Sequence, residues 1–160
     1  MVARVALVGV MCSLVLLLSP SSAIADQTYH TDHLLVSQTP AGAAAGHPAL
    51  RAGFVNNTHT SGPVNFAIEE YLLNGAKPST TYGVVLLLQA NDCSGAFLFQ
   101  FPNGASVATD GNGDGHAQNK VSPETATALG LHNMNFGVRW SFVTSGVNAY
   151  VSQCSDVHID

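Results

Sequence analysis

Phe136-Gly137-Val138-Arg139-Trp140-Ser141-Phe142-Val143 decides the fold class of this chain. Large apolar side chains stand at 136, 138, 140 and 142, with Gly137, Arg139 and Ser141 between them. The period is two residues, which makes the segment a strand with one buried face and one wet face. Trp140, the only tryptophan, belongs to the core. Working outward, turn signals recur roughly every ten residues and separate short runs rich in Val, Leu, Phe, Tyr and Thr. Strands are expected at Thr28 to Val36, Ala49 to Asn56, Pro63 to Leu73, Thr81 to Gln89, Ala96 to Phe101, Ser106 to Thr109, His116 to Val121, Phe136 to Val143 and Ala149 to Ile159. Such a series predicts an all-β fold, a single antiparallel β-sandwich of eight or nine strands.

Val84-Val85-Leu86-Leu87-Leu88 does not alternate, so it reads as a central strand covered on both faces. Ser37 to Pro48 is rich in Ala and Gly and reads as a small-residue loop, either flexible or laid over the sandwich. Only Ser122 to Gly130 looks helical: Ser122 can cap, Pro123 suits the first helical position and Gly130 can stop the helix, which predicts at most one short helix over 123–130.

The N-terminus carries an address. Arg4 is followed by an apolar run from Val5 to Leu18, and Ser22-Ala23-Ile24-Ala25 ends in the small-x-small pattern of signal cleavage. Spanning a bilayer takes about 20 apolar residues, more than this run supplies, so residues 1–25 read as a cleavable signal peptide and 26–160 as one mature domain. Cys12 leaves with the peptide. Of the five basic residues Arg4 leaves too, so four face ten acidic ones in the mature chain, a net charge of −6. Nucleic-acid binding through basic patches is thereby disfavoured. Cys93 and Cys154 remain as an even pair in an exported chain and are expected to form a disulfide.

Gly75-Ala76-Lys77-Pro78-Ser79-Thr80-Thr81-Tyr82-Gly83-Val84 resembles, at Pro78 to Tyr82, the Pro-x-Thr-x-Tyr corner of immunoglobulin-like and fibronectin type III sandwiches. The resemblance implies that Tyr82 pins the turn at Lys77 to Thr80. The mature chain also resembles small exported proteins of high-GC Gram-positive bacteria, which implies a location and no chemistry.

Three constellations could carry chemistry. Asp110-Gly111-Asn112-Gly113-Asp114-Gly115 places oxygen ligands at alternating positions, as in the first half of a calcium loop, so Asp110, Asn112 and Asp114 are candidate calcium ligands. The closing position is Val121 rather than Glu, and a plain hairpin turn accounts for the same residues. His30 and Asp32 share one strand face, and with His158 near the C-terminus they would form a two-imidazole, one-carboxylate set for a transition metal if the terminal strands were neighbours. Glu69 and Glu70 are adjacent in a strand, so one points inward unless an edge or bulge frees both. An inward carboxylate with a raised pKa is suited to acid/base work. Gly-x-Ser-x-Gly, His-Glu-x-x-His and phosphate-binding loop motifs are missing from the sequence. The expectation is a secreted, monomeric, non-enzymatic module that uses no cofactor and binds an extracellular or cell-envelope ligand through its loops, without a transmembrane segment after cleavage. The alternatives are a secreted metal-dependent enzyme and a calcium-stabilised adhesion domain.

Overall fold

The computed structural model describes residues 28–61, 67–122, 124, 130 and 134–159. Residues 1–25, expected to be a signal peptide, lie outside the described residues, and so does the expected helix over 123–130, apart from Glu124 and Gly130. Among the described residues there are nine strands: β1 (Thr28–Gln38), β2 (Ala52–Ser61), β3 (Ala67–Asn74), β4 (Thr81–Ala90), β5 (Phe97–Ala108), β6 (Gly115–Val121), β7 (Met134–Thr144), β8 (Val147–Ser152) and β9 (Ser155–Ile159). All pairings are antiparallel. Two expected strands, Ala96 to Phe101 and Ser106 to Thr109, are one continuous β5. The interruption between them is absorbed as a register irregularity between Gly83 and Val85, with Gly104 at a positive φ of 81°. Conversely, the expected strand from Ala149 to Ile159 breaks at Gln153 and Cys154, where the Gln153 N–H turns to Leu35 O (2.8 Å) and Cys154 bonds to Cys93.

The segment from Ser37 to Pro48 is more ordered than a loop. It contains a short helix, α1 (Pro40–Ala44), capped by Thr39, whose Oγ1 accepts from Gly42 N at 2.9 Å. Its small residues serve close packing: a Cβ on Gly42 would stand 2.2 Å from Ala149 O on β8.

The hydrogen-bonded path runs β5-β4-β7-β8-β1-β2-β3-β6, and β9 shares with β8 one edge of β7. The all-β antiparallel architecture and the disulfide are as expected. The sheet, however, is one continuous path curled nearly into a barrel, without a clear division into two layers. Its two end strands are brought together by the turn joining β5 to β6 and by Asn119 Nδ2, which donates to Asn103 O (3.1 Å). β1 acts as the seam, pairing with β2 over Thr28 to Leu35 and with β8 only over Val36 to Gln38. Beyond that point β1 stays with β2 while β9 follows β7, so among the described residues no backbone ladder joins β1 to β9. The two halves of the sheet part there.

The core sits at the closed end. Phe136, Val138, Trp140 and Phe142 of β7 are buried, as their alternation requires, against Val55, Tyr71, Leu73, Val84 and Val107. Each such side chain contributes roughly 1.5–3 kcal/mol of burial free energy. The opposite face of β7 is drier than expected, since Ser141 is buried and Gly137 lies beneath the β4–β5 connection. A Cβ at Gly137 would come within 2.5 Å of Asp92 O. The Cys93–Cys154 bridge (Cα–Cα 5.8 Å) fastens that connection over β7. β4 is central, between β5 and β7, as its unbroken apolar run implies.

Candidate functional site

Pairing register sorts the barrel interior into layers. Leu34, Val55, Tyr71 and Ala117 are successive cross-strand partners on β1, β2, β3 and β6. Two residues along, on the same inward parity, the row reads Asp32, Asn57, Glu69 and Asn119. Beyond it His30 opposes His59. The interior is therefore apolar at the seam end and polar where β1 and β9 diverge.

Glu69 occupies the deep part of the polar layer and is 2 % exposed. Trp140 Nε1 donates to its Oε1 across the barrel at 2.8 Å. Its Oε2 accepts from Asn103 Nδ2 at 2.8 Å, from Asn119 Nδ2 at 3.5 Å and from the Tyr71 hydroxyl. Asn103 Nδ2 also donates to the Tyr71 hydroxyl (2.7 Å). Burial pushes the Glu69 carboxyl above the usual carboxylate range, against the pull of these four side-chain bonds. Four donors match the lone pairs of an ionised carboxylate, so the group is satisfied and clamps the two halves of the sheet together. Glu70 faces the other way, toward Asn56 Nδ2 and Gln118 Nε2, each at 3.4 Å.

At the parting of the sheet the polar layer is looser. His30 Nε2 lies 3.0 Å from Asp32 Oδ1, and His59 Nε2 lies 3.9 Å from Asp32 Oδ2. Ser155 Oγ of β9 bridges the gap to Asp32 Oδ2 at 2.5 Å. The two imidazoles are tilted against each other with centroids 5.1 Å apart. One ligand atom from each of His30, Asp32 and His59 falls within 4.8 Å of the others. Four buried side-chain polar atoms lack a hydrogen-bond partner among the described residues, and two of them, Asn57 Oδ1 and His59 Nε2, belong to this layer.

Of the candidate transition-metal ligands, the structure brings together His30 and Asp32. His158 stands apart on β9, its Nδ1 2.8 Å from Asn135 Oδ1. His59, Asn57 and Ser155 were not singled out from sequence. Their one signal was shared parity, since 57 and 59 lie on one face of a strand, but only the β1–β2 register shows that this face meets His30 and Asp32.

Asp110, Asn112 and Asp114 sit together in the β5–β6 turn. Asp110 Oδ1 accepts from the backbone N–H of Asp114 (3.0 Å) and of Asn112 (2.8 Å), which holds its carboxyl below the usual carboxylate range. Asp114 Oδ1 accepts from Arg51 Nη2 (2.8 Å) and Gly75 N (2.9 Å). Gly113 is at φ 83°, and a Cβ there would lie 2.0 Å from Ala76 O. Nearby, Thr109 closes the Lys77 to Thr80 turn: its Oγ1 donates to Lys77 O (2.8 Å) and accepts from Thr80 N (3.0 Å). Tyr82 is buried, and its hydroxyl meets His47 Nδ1 at 3.1 Å. An open groove lined by hydroxyls, with Lys77 and His47 at its sides, runs between this corner and the β7–β8 turn. Among the described residues no helix is long and apolar enough to cross a membrane. Comparison with protein-family models, curated proteins and solved structures finds no match to the chain.

Proposed function

We propose that this chain is an exported, disulfide-stapled β module that binds a small polar ligand or ion at the parting of its sheet and carries out no covalent chemistry there. One observation carries the reading: the polar layer is satisfied at depth, around Glu69, but two of its buried atoms, Asn57 Oδ1 and His59 Nε2, make no hydrogen bond among the described residues, beside Asp32 and the exposed His30. Leaving such atoms without partners costs roughly 1–3 kcal/mol each, and a bound ligand that pairs with them recovers that cost. Export is supported by residues 1–25 and by the Cys93–Cys154 bridge, which needs an oxidising compartment to persist. The immunoglobulin-like corner at Pro78 to Tyr82 supports a recognition scaffold but names no ligand. The groove beside Lys77 is a weaker candidate, because its hydroxyls face solvent and leave no buried group unpaired.

The test is a nuclear magnetic resonance titration of the isotopically labelled, oxidised chain with zinc chloride, calcium chloride, sodium acetate and glucose in turn. At least one probe should move the amides of Asp32, Asn57 and His59 while leaving α1 unaffected. Shifts confined to the Asp110 to Asp114 turn would favour the calcium alternative and sink this reading, as would no shift with any probe. N-terminal sequencing of the chain recovered from the medium should begin at Asp26; material retaining residues 1–25 would remove the export half of the proposal.

A further inference from the structure

The geometry points to a divalent transition-metal ion, of the zinc type, as the ligand held by His30, Asp32 and His59; this rests on the binding reading above and names its ligand. The donor set is two imidazoles and one carboxylate, a borderline nitrogen and oxygen combination that suits zinc, copper or ferrous iron and not calcium or magnesium. The three ligand atoms lie within 4.8 Å of one another, whereas donors around a tetrahedral ion with bonds of about 2.0–2.1 Å stand roughly 3.3 Å apart. A contraction on the order of 1 Å therefore completes the site, within reach of side-chain rotation on a fixed β1–β2 ladder.

Three features separate this cluster from a casual surface pair of His and Asp. His59 Nε2 is buried and makes no hydrogen bond among the described residues, its Asp32 Oδ2 neighbour standing 3.9 Å away, so in the Nδ1-protonated tautomer its lone pair faces the position a ligand must occupy. Asn57 Oδ1, on the residue paired with Asp32, is a second buried acceptor without a donor among the described residues, suited to a metal-bound water. Ser155 Oγ donates to Asp32 Oδ2 and orients the carboxylate from outside the coordination sphere, which is the usual second-layer arrangement at metal centres. His30, whose side chain is 60 % exposed, leaves one side open for entry and for a solvent or exogenous ligand. On binding, His30 Nε2 exchanges its hydrogen bond to Asp32 for the metal, and its ring proton resides on Nδ1.

The experiment is calorimetric titration of the untagged, oxidised chain with zinc, followed by nickel and calcium, on wild type, His30→Ala, His59→Gln, Ser155→Ala and His158→Ala. Wild type should bind one zinc per chain, with nickel competing and calcium not. Ser155→Ala should weaken binding about tenfold, the low end of the range for removal of an outer partner, and His30→Ala and His59→Gln, which remove ligands, should each weaken it about 100-fold or more, while His158→Ala should bind as wild type. His30 is exposed, so its variant tests the site without risk to folding, and circular dichroism checks the variant of the partly buried His59. Zinc binding that survives both His30→Ala and His59→Gln, or that is lost in His158→Ala, overturns the assignment. Absence of zinc binding while acetate or glucose still shifts Asp32 and His59 overturns the metal and leaves the binding reading standing. Absence of any response at these residues overturns both.

Discussion

Replacing Trp140 with Phe should destabilise the protein by an amount that grows with pH. Trp140 Nε1 donates to Glu69 Oε1 in the dry centre of the barrel. A hydrogen bond to a charged group contributes about 1.5–3 kcal/mol and one between neutral groups about 1 kcal/mol. The smaller ring also leaves unfilled space, for about 1 kcal/mol more. The sign follows from Glu69, whose carboxyl is raised in the folded state by burial. Its contribution to stability is fully present below the unfolded carboxyl value, near pH 4.3, and is lost as pH rises through the folded value. The indole bond pulls against burial, so removing it lifts the folded value further and deepens the loss. We expect a deficit of about 2 kcal/mol at pH 4, rising to about 2.5–4 kcal/mol once the pH passes the folded value of Glu69 and the carboxylate is ionised. Urea unfolding of the oxidised protein over a pH series from 4 upward, followed by far-ultraviolet circular dichroism because Trp140 is the only tryptophan, measures the deficit at each pH. A Glu69→Gln variant should lose this part of the pH dependence. A deficit that stays constant while the stability of the wild type still falls with Glu69 ionisation would refute the coupling of Trp140 to an ionising carboxylate.

Further outcomes follow from the same structure. Replacing Cys93 and Cys154 together with Ser removes a bridge spanning 61 residues. Chain entropy puts that loss at about 4 kcal/mol, readable as a lowered denaturation midpoint that reductant no longer shifts. Gly42→Ala forces a Cβ against Ala149 O and should cost about 1–3 kcal/mol, with faster amide exchange in α1 and β8; an unchanged melting temperature would show that α1 does not pack that closely. Thr109→Val keeps the shape but removes the hydroxyl that closes the corner, so stability should fall by about 1–3 kcal/mol and amide exchange should quicken first at Ser79 and Thr80.

Local patterns legible in the sequence were those whose cause is local. The alternation in Phe136 to Phe142 placed four side chains in the core, and the unbroken run Val84 to Leu88 marked a central strand. Strand ends were harder where the cause was distant: nothing near Gln153 announces that its N–H will leave the β8 ladder for Leu35. The Ala and Gly content of Ser37 to Pro48 left open a flexible loop or one laid over the sheet; the segment is laid over it, and its thin side chains let α1 pack onto Ala149. The site was half legible for the same reason. Strand parity joined His30 to Asp32, but the third partner depended on inter-strand register, which sequence spacing does not contain. Parity did indicate that one of Glu69 and Glu70 points inward if the strand is regular, and Glu69 does. The partners that make this tolerable, Trp140, Tyr71, Asn103 and Asn119, come from four strands.

The disulfide and the polar layer are connected through one short stretch of chain. Cys154 is bonded to Cys93, Cys93 N donates to Asp156 Oδ1 at 2.8 Å, and Ser155 between them reaches Asp32. The start of β9 is thus fixed by a covalent bond on one side and a charged acceptor on the other, so the hydroxyl that aims the Asp32 carboxylate sits on the most constrained part of the strand. Without the bridge, β9 is held at that end by its ladder to β7, Met134 to Val138. Ser155 would then gain freedom, and with it the carboxylate between His30 and His59. The disulfide thus stabilises the fold and also constrains the candidate site where the two halves of the sheet part. Reduction should therefore loosen ligand binding at His30, Asp32 and His59 at denaturant concentrations too low to unfold the barrel.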